Sequence, residues 1–525
     1  MWARRLKIAA GVGAVAGIGY QVDQTYNAQV IKRNVRTLYN GIIIAADYKI
    51  NFRPDNADSI ENIHERVAQR LYNVCRENGG IYIKMGQAIA SQSAVLPAPY
   101  QRLFSNLFDS APAVSYDEVV KVIEQDTGKH PDEIFMEFSK EPLASASIAQ
   151  VHKARLRDGT LVAVKVQKPA IQKQMEWDLL AYRALVLTYE NIFDLPLYWT
   201  CQHVIDHIRQ EVDFVNEASN SNRAWEYMKR EPQLGDDVYC PIVYDRYTTK
   251  RLMVTEWIDG VKLTDRKGWE KWNFQDHQVM KTTVDMFASQ IFSSGFVHAD
   301  PHPGNVLVRP NPKNFKRHQI VLLDHGLYMQ ESETFRKQYC SLWKAILLMD
   351  FDAVGDICRQ WGMDDPEIMA MITLQRPYQL RRKPNKETVK KDAYATQLDV
   401  KERLKKILSD QDKIPRELIF LGRNMELMMG SPVNRINIMA RWAARNAGLD
   451  LSSRSALTNI LRSQWGFARF EFSMFVMNLG FTVQKWSDKV YRYFMGGEAQ
   501  GFEDVLETQM RAMLGINVNN VTFDA

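Results

Sequence analysis

Apolar residues recur along this chain with two different periods. From about residue 25 to 142 the pattern is helical. Glu61 to Asn78 is polar with spaced apolar positions and closes on Gly79-Gly80, and Ile81 to Ala90 follows as a largely apolar helix. The period then shortens. Apolar and polar residues alternate up to Leu156, Arg157-Asp158-Gly159 makes a hairpin-type turn, and Leu161 to Val166 reads as a second strand. Ile208, Glu211, Val212 and Val215 return to helical spacing. Leu252 to Thr255 is a strand, with Glu256 to Gly260 as the turn after it, and Val279 to Ser294 is an apolar helix. Two short apolar runs, Asn305 to Val308 and Ile320 to Leu323, precede a helical stretch from Thr334 to Leu348, and the rest of the chain reads helical. A helical first part is thus followed by short strands set between helical stretches.

The densest chemistry follows the apolar helix. His298-Ala299-Asp300-Pro301-His302-Pro303-Gly304-Asn305 has the form H-x-D-x-x-x-x-N, and Asp324-His325-Gly326 closes the second apolar run. A loop, a strand, a turn and a second strand bring Asp300, Asn305 and Asp324 to one edge. Phosphoryl transfer is mostly positioning and charge neutralisation. An aspartate can orient the attacking hydroxyl or water and accept its proton. Mg²⁺ is hard and takes oxygen ligands while keeping several waters. Asp300 is therefore the candidate general base, and Asn305 and Asp324 are the candidate Mg²⁺ ligands. The rival is a surface turn rich in Pro, Gly and Asp. The Asp-x-Gly element at the right distance argues against it.

Further upstream, Lys165 lies inside a valine-rich strand, where a lysine is costly unless it meets an anion. In the Val162-Ala163-Val164-Lys165 pattern such a lysine holds the α/β-phosphates of ATP, and the alternative is an edge-strand lysine. The loop expected over those phosphates is Ala144-Ser145-Ala146-Ser147, whose Cβ atoms restrict the close approach that glycine would allow. A carboxylate on a following helix should hold Lys165. Glu211 lies on the apolar stripe of Ile208–Val215 and is the expected partner, which leaves Asp213 or Glu217 for Lys84. Lys84 and Gln87 stand in the apolar segment after Gly80, where a lysine is rarely left unpaired, although a solvated helix face is the alternative. The turn containing Glu256 and Ile258 is placed to meet the adenine with its backbone, if the chain follows a kinase plan.

Composition and the two ends of the chain add to this picture. The 525 residues suffice for two to four domains, with 25% charged and 46% hydrophobic residues, an ordinary globular balance. A net charge of +5 without an arginine-rich run predicts no nucleic-acid partner. Five scattered cysteines with no C-x-x-C indicate neither a zinc site nor a disulfide framework. The N-terminus carries Arg4, Arg5 and Lys7 ahead of an apolar Ile8–Tyr20, with Asp23 as the first acid. That fits a mitochondrial targeting segment, with a secretory signal or an ordinary buried helix as alternatives. At about 13 residues the apolar part falls short of the ~20 needed to span a bilayer. Near the other end, Arg381 to Lys391 reads as a polar link, and Phe470 to Val483 as core or as a membrane contact.

Together, Lys84-Met85-Gly86-Gln87, Ala144-Ser145-Ala146-Ser147, Val162-Ala163-Val164-Lys165, Glu211-Val212-Asp213, the octapeptide and Asp324-His325-Gly326 resemble the UbiB/aarF-domain family of atypical kinases over roughly Gly79 to Asp352. The Asp324-His325-Gly326-Leu327-Tyr328 sequence looks like its mitochondrial branch, aarF domain-containing kinase 1. The resemblance implies an α+β, bilobal protein-kinase-like fold with a helical N-terminal extension and a mostly helical C-terminal lobe and tail. Its expected divisions are 1–24 a targeting or anchor segment, 25–142 a helical extension with the K-x-G-Q motif, 143–260 the N-lobe and 261–525 the C-lobe with its extension. It implies ATP and Mg²⁺ as cofactors and a mitochondrial role in lipid or cofactor handling, with membrane association and a lipid-like partner. Lys84, Gln87, Asp213 and Glu217 become regulatory positions, since the family's K-x-G-Q element lies where a protein substrate would sit. Where protein kinases have Arg, this chain has Ala299, and after Gly326 no Ala-Pro-Glu-type platform for a peptide is found. The expectation is an ATPase or small-molecule kinase. A nucleotide-gated scaffold is the alternative, and a Ser/Thr protein kinase stands third.

Overall fold

The structure, a computed structural model, describes residues 21–23, 28–53, 60–90, 97–108, 112–348, 350–362, 435–447 and 467–472 and a few single positions. The basic and apolar N-terminus and the polar link at 381–391 lie outside the described residues, as does most of 470–483.

In chain order, helices α1 (Val30–Asn51), α2 (Ile60–Asn78), α3 (Ile81–Ala90), α4 (Ala98–Phe104), α5 (Tyr116–Thr127) and α6 (Pro131–Ile134) precede the first strands. These are β1 (Phe135–Phe138), β2 (Ala144–Ser145), β3 (Ala149–Leu156) and β4 (Leu161–Gln167). Then come α7 (Pro169–Phe193), α8 (Tyr198–Glu211), α9 (Phe214–Arg230), β5 (Val238–Tyr239), β6 (Leu252–Glu256) and β7 (Val261–Lys262). They are followed by α10 (Arg266–Glu270), α11 (Asp276–Ser289), β8 (Phe296–His298), β9 (Val306–Asn311), β10 (Asn314–Leu322) and β11 (Tyr328–Gln330). The described chain closes with α12 (Glu333–Leu347), α13 (Phe351–Gln360) and α14 (Arg435–Asn446).

The chain divides into two compact units. The first holds the described residues up to Ser221 and Pro241–Ile258. Its sheet runs β1-β3-β4-β6, all antiparallel, with β2 also on β3. On β4 the pleat sends Val162, Val164 and Val166 into a core with Val119, Ile123 and Phe135, and it sends Lys165 to the opposite face. Next to the sheet, α1, α2, α3, α4, α7 and α8 share a separate core that includes Ile63, Tyr82, Phe104 and Leu179. Phe135–Phe138, expected to be helical, is a strand. Its Phe135 is 2% exposed against β3 and β4, so sheet pairing overrides the helical pattern around it.

The second unit holds Asn222–Cys240 and the described chain from Asp259 onward. It has one sheet of order β5-β10-β9-β7 and a two-stranded β8–β11 ribbon, against helices that bury Trp269, Phe287, Phe292, Tyr339 and Trp343. Phe470, one of the aromatic C-terminal positions, is buried in this core. The apolar helix expected over Val279–Ser294 is α11 continued by a π-turn over Gln290–Ser294, and Gly295 ends it at φ 64°.

Candidate active site

The first unit builds its charged centre on β4 and α9. Lys165 Nζ donates to both carboxylate oxygens of Glu217, at 2.6 and 2.8 Å. The Glu217 side chain is 2% exposed. A carboxylate buried this far needs a cation, and Lys165 is that cation. The ring of Phe214 lies 5.0 Å from the same ammonium.

Glu217 thus takes the place at Lys165 where Glu211 was expected. Glu211 binds Lys84 at 2.5 Å instead, so the two predicted partners are exchanged. The reason is a helix break. The stretch Ile208–Val215 is not one helix, because α8 ends at Glu211 and α9 starts at Phe214. Asp213 makes the break, since its Oδ1 accepts the Val215 N–H at 3.0 Å in the manner of a helix N-cap. Asp213 is therefore a cap rather than a partner for Lys84. Glu217 is placed by the new helix, a turn after the cap, with its N–H bonded to the Asp213 carbonyl. An aspartate directly ahead of Phe214 is the sequence signal for this break.

The K-x-G-Q helix, α3, holds its own surroundings together. Gln87 Nε2 donates to the Leu107 carbonyl at 3.0 Å. At Gly86 a Cβ would stand 2.3 Å from Leu107 Cδ1, so a side chain there requires Leu107 to shift. The alanine-rich loop begins as β2 and turns back at Ala146, whose N–H bonds the Ala149 carbonyl. Ser147 is buried, and Ser145 Oγ is a buried hydroxyl that finds no hydrogen-bond partner among the described residues. Lys168, which no motif singled out, donates to the carbonyls of Ala146 at 2.6 Å and Pro112 at 2.8 Å. It ties the loop to the segment that leaves the helical extension. Burial pushes its ammonium down to about 8. At the end of β6 the Glu256 N–H bonds the Ile242 carbonyl, so this amide is committed to the fold, and Ile258 is buried.

The second unit carries the acidic centre. The octapeptide leaves β8, forms a short 3₁₀ turn at Pro303–Asn305 and enters β9, while Asp324 follows β10. The antiparallel β9–β10 pairing sets Val306 opposite Leu322, and this register carries Asn305 and Asp324 to one end. Asn305 Nδ2 donates to Asp324 Oδ2 at 3.1 Å, and Asp324 Oδ1 accepts the Gly326 N–H at 3.0 Å. His298 joins the two motifs. Its Nδ1 accepts the Asp300 N–H at 3.1 Å, which leaves the proton on Nε2 to donate to the Asp324 carbonyl at 2.9 Å. The His298 N–H is itself held by Gln290 Oε1 at 2.9 Å, so the π-turn anchors the base of the loop. His325 is 1% exposed between the Tyr328 hydroxyl and the Leu322 carbonyl, and burial raises the Tyr328 phenol well above its ordinary value. His298, His325 and Gln290 are positioning residues. Residue type alone does not distinguish them from ordinary core side chains.

One carboxylate and one amide oxygen suit a hard cation that keeps most of its water and meets phosphate oxygens. Among the described residues no cluster of three or more His, Cys, Asp or Glu side chains offers a self-contained metal cage. A Mg²⁺ ion carried with a nucleotide fits Asn305 and Asp324, whereas a structural transition metal does not.

The strand-borne lysine held by a helical carboxylate, with the H-x-D-x-x-x-x-N loop and the Asp-x-Gly turn, defines a kinase-like protein. The family model of the ABC1 atypical kinase-like domain matches residues 106–358. An ABC1 family protein of Schizosaccharomyces pombe is 42% identical over 82% of this chain and 82% of its own length. An ABC1 family protein of Purpureocillium lilacinum is 36% identical over 91% and 87%, and an AarF domain-containing protein kinase 1 of Xenopus laevis is 34% identical over 79% and 80%. The chain belongs to the ABC1 atypical kinase family.

Proposed function

We propose that this protein is a mitochondrial, Mg-ATP-dependent phosphotransferase or ATPase that acts on a small, lipid-like molecule at a membrane. The observation that carries the reading is the completeness of the polar set. Lys165 is held by buried Glu217, and Asp324 is fixed against Asn305 and Gly326. A kinase-like domain implies a nucleotide. Asn305 and Asp324 would hold Mg²⁺, which supplies charge neutralisation on phosphate oxygens. Lys165, fixed by Glu217, takes the α/β-phosphates. The buried Ser145 hydroxyl, unpartnered among the described residues, offers a donor at the loop. Asp300, its backbone pinned through His298, orients the acceptor hydroxyl or water and takes its proton. The absence of an Ala-Pro-Glu-type segment between Gly326 and α12 favours a small acceptor over a peptide.

The test is Mg-ATP binding and turnover by the full chain against Asp300→Asn and Asp324→Asn. Loss of turnover with retained binding in Asp300→Asn supports an enzyme. Full turnover in that variant overturns the role of the base. A second reading, a nucleotide-gated scaffold, is favoured by the Lys84–Glu211 bridge between α3 and α8, since it gives the K-x-G-Q helix its own ion pair. Rescue of a null phenotype by Asp300→Asn but not by Asp324→Asn would select it.

A further inference from the structure

The helical layer of the first unit carries a large apolar surface that its core does not use. On α1, Ile31, Val35, Leu38 and Ile42 are between 37% and 63% exposed. They recur at helical spacing and form one stripe, opposite the buried Arg33, Thr37, Gly41 and Ile44. On α7, Trp177 and Leu180 are each 55% exposed and Leu187 is 40% exposed, and they form a second stripe.

The two stripes lie on the same side. The helices run parallel, because their contacts advance together. Gln174 Nε2 meets the Ala28 carbonyl at 2.7 Å, Tyr189 Oη meets that of Gly41 at 2.9 Å, and Lys49 Nζ meets that of Ile192 at 3.1 Å. At Gly41 a Cβ would stand 2.4 Å from Leu185 Cδ2, so the helices approach closely. Counting ~100° per residue, the α1 stripe is turned by roughly 120° from the residues that meet α7, and the α7 stripe by a similar angle in the opposite sense. In a parallel pair, opposite turns bring both stripes to one face, with Ala45 and Ala181 buried near the seam. Monomeric proteins rarely expose a contiguous apolar patch of this kind without a partner.

We infer that this two-helix face docks flat on an anionic lipid bilayer. Charge selects this occupant. On α1, Lys32 and Lys49 stand with Asp47, which is held by Arg66; on α7, Arg183 stands with Glu176, held by Arg209 at 2.7 Å, and with Glu190, which accepts the Tyr198 N–H at 2.6 Å. Apolar anchors flanked by the lysines of α1 match the interface of an anionic membrane. The chain also enters α1 at the Ile31 end of the face, where Asp23 accepts the N–H groups of Ile31 and Lys32 at 3.0 and 3.1 Å. Directly before it in sequence stand the basic residues Arg4, Arg5 and Lys7 and the apolar run Ile8–Tyr20. Among the described residues no helix is long and apolar enough to cross a membrane, so the face is an interfacial surface rather than a span. It supplies the surface for the membrane location proposed above. Its test contains no nucleotide, so its failure is distinct from failure of the nucleotide reading.

The experiment partitions the full-length protein onto vesicles of phosphatidylcholine alone and of phosphatidylcholine mixed with phosphatidylserine. All five cysteines are buried, so a Val35→Cys variant accepts an environment-sensitive dye selectively. The expected results are salt-sensitive binding to the anionic vesicles and a blue shift of the dye on binding. Partitioning should fall at least about tenfold in Ile42→Glu/Leu180→Glu, with circular dichroism unchanged. Wild-type partitioning by that double variant would overturn the proposal, with the N-terminal segment alone as the anchor. A blue shift without vesicles, accompanied by a doubled mass, would also overturn it in favour of a second copy of this chain.

Discussion

Lys165 Nζ lies 2.6 Å from Glu217 Oε1, while Glu211, on the preceding helix, lies 2.5 Å from Lys84. The first pair joins a sheet strand to α9, and the second joins the K-x-G-Q helix to α8. The two carboxylates are six positions apart in sequence, and the break at Asp213 sends them to different tasks. Glu217→Gln should therefore weaken ATP binding and turnover by roughly ten- to a hundredfold, the loss expected for a charge-assisted contact of ~1.5–3 kcal/mol. Glu211→Gln should change ATP affinity by no more than about threefold. Equal damage from both, in titrations with a fluorescent ATP analogue, would refute the division of labour.

The Asn305–Asp324 contact of 3.1 Å predicts a metal-specific defect. Asp324→Asn should remove most of the Mg²⁺ enhancement of nucleotide affinity, at least about tenfold, while affinity without Mg²⁺ changes little. Titrations with and without Mg²⁺ separate the two effects. An unaltered Mg²⁺ response would place the metal elsewhere.

At Gly86, an added methyl meets Leu107 Cδ1 at 2.3 Å and Phe104 Cδ1 at 3.1 Å. Gly86→Ala should cost about 1–3 kcal/mol, because Leu107 and Phe104 are both buried and must shift. Urea unfolding would register the loss, and hydrogen exchange should report faster opening of α3 and α4 than of β3 and β4.

The Arg33–Asp178 pair is closed to solvent, with side chains 5% and 0% exposed. Arg33→Met strands a buried carboxylate and should destabilise the first unit by about 3–5 kcal/mol. Arg33→Met/Asp178→Leu should recover most of that, because the uncompensated charge is gone. If the double variant proves no more stable in denaturation than the single one, desolvation is not the source of the cost.

Lys168 predicts a stability change in the alkaline range. Burial lowers its ammonium from 10.5 to about 8, so the unfolded chain keeps this proton to higher pH than the folded one. The contribution of Lys168 to stability therefore rises as pH increases from about 8 to 10.5, and below about 8 the full cost of the buried charge is present. The neutral amine still has two N–H groups for its two acceptors, the carbonyls of Ala146 and Pro112. Lys168→Met should lack this rise. Melting temperatures of both proteins across that pH range test it, and parallel curves would count against it.

Much of this molecule was legible in the linear chain. The alternation in Ala149–Leu156 and Leu161–Val166, the turn at Arg157-Asp158-Gly159 and the acidic motifs on either side of the β9–β10 hairpin are local features. A hairpin brings Asn305 to Asp324 with no help from the rest of the fold, so sequence alone was sufficient to put those side chains together. The ion pairs were not legible in the same way. Which carboxylate reaches Lys165 depends on where α8 stops, and that is decided by an N-cap bond of Asp213 and by Phe214 burying itself against Ala149, Ala218 and Met253. Phe135–Phe138 became a strand because β3 offered it an edge. The roles of Lys168, His298 and Gln290 rest on carbonyls and amides that carry no residue identity. Sequence determined the local elements and the residue types that phosphoryl chemistry requires. The tertiary structure alone decided which charges face each other, because long-range pairing follows from packing and helix ends rather than from spacing along the chain.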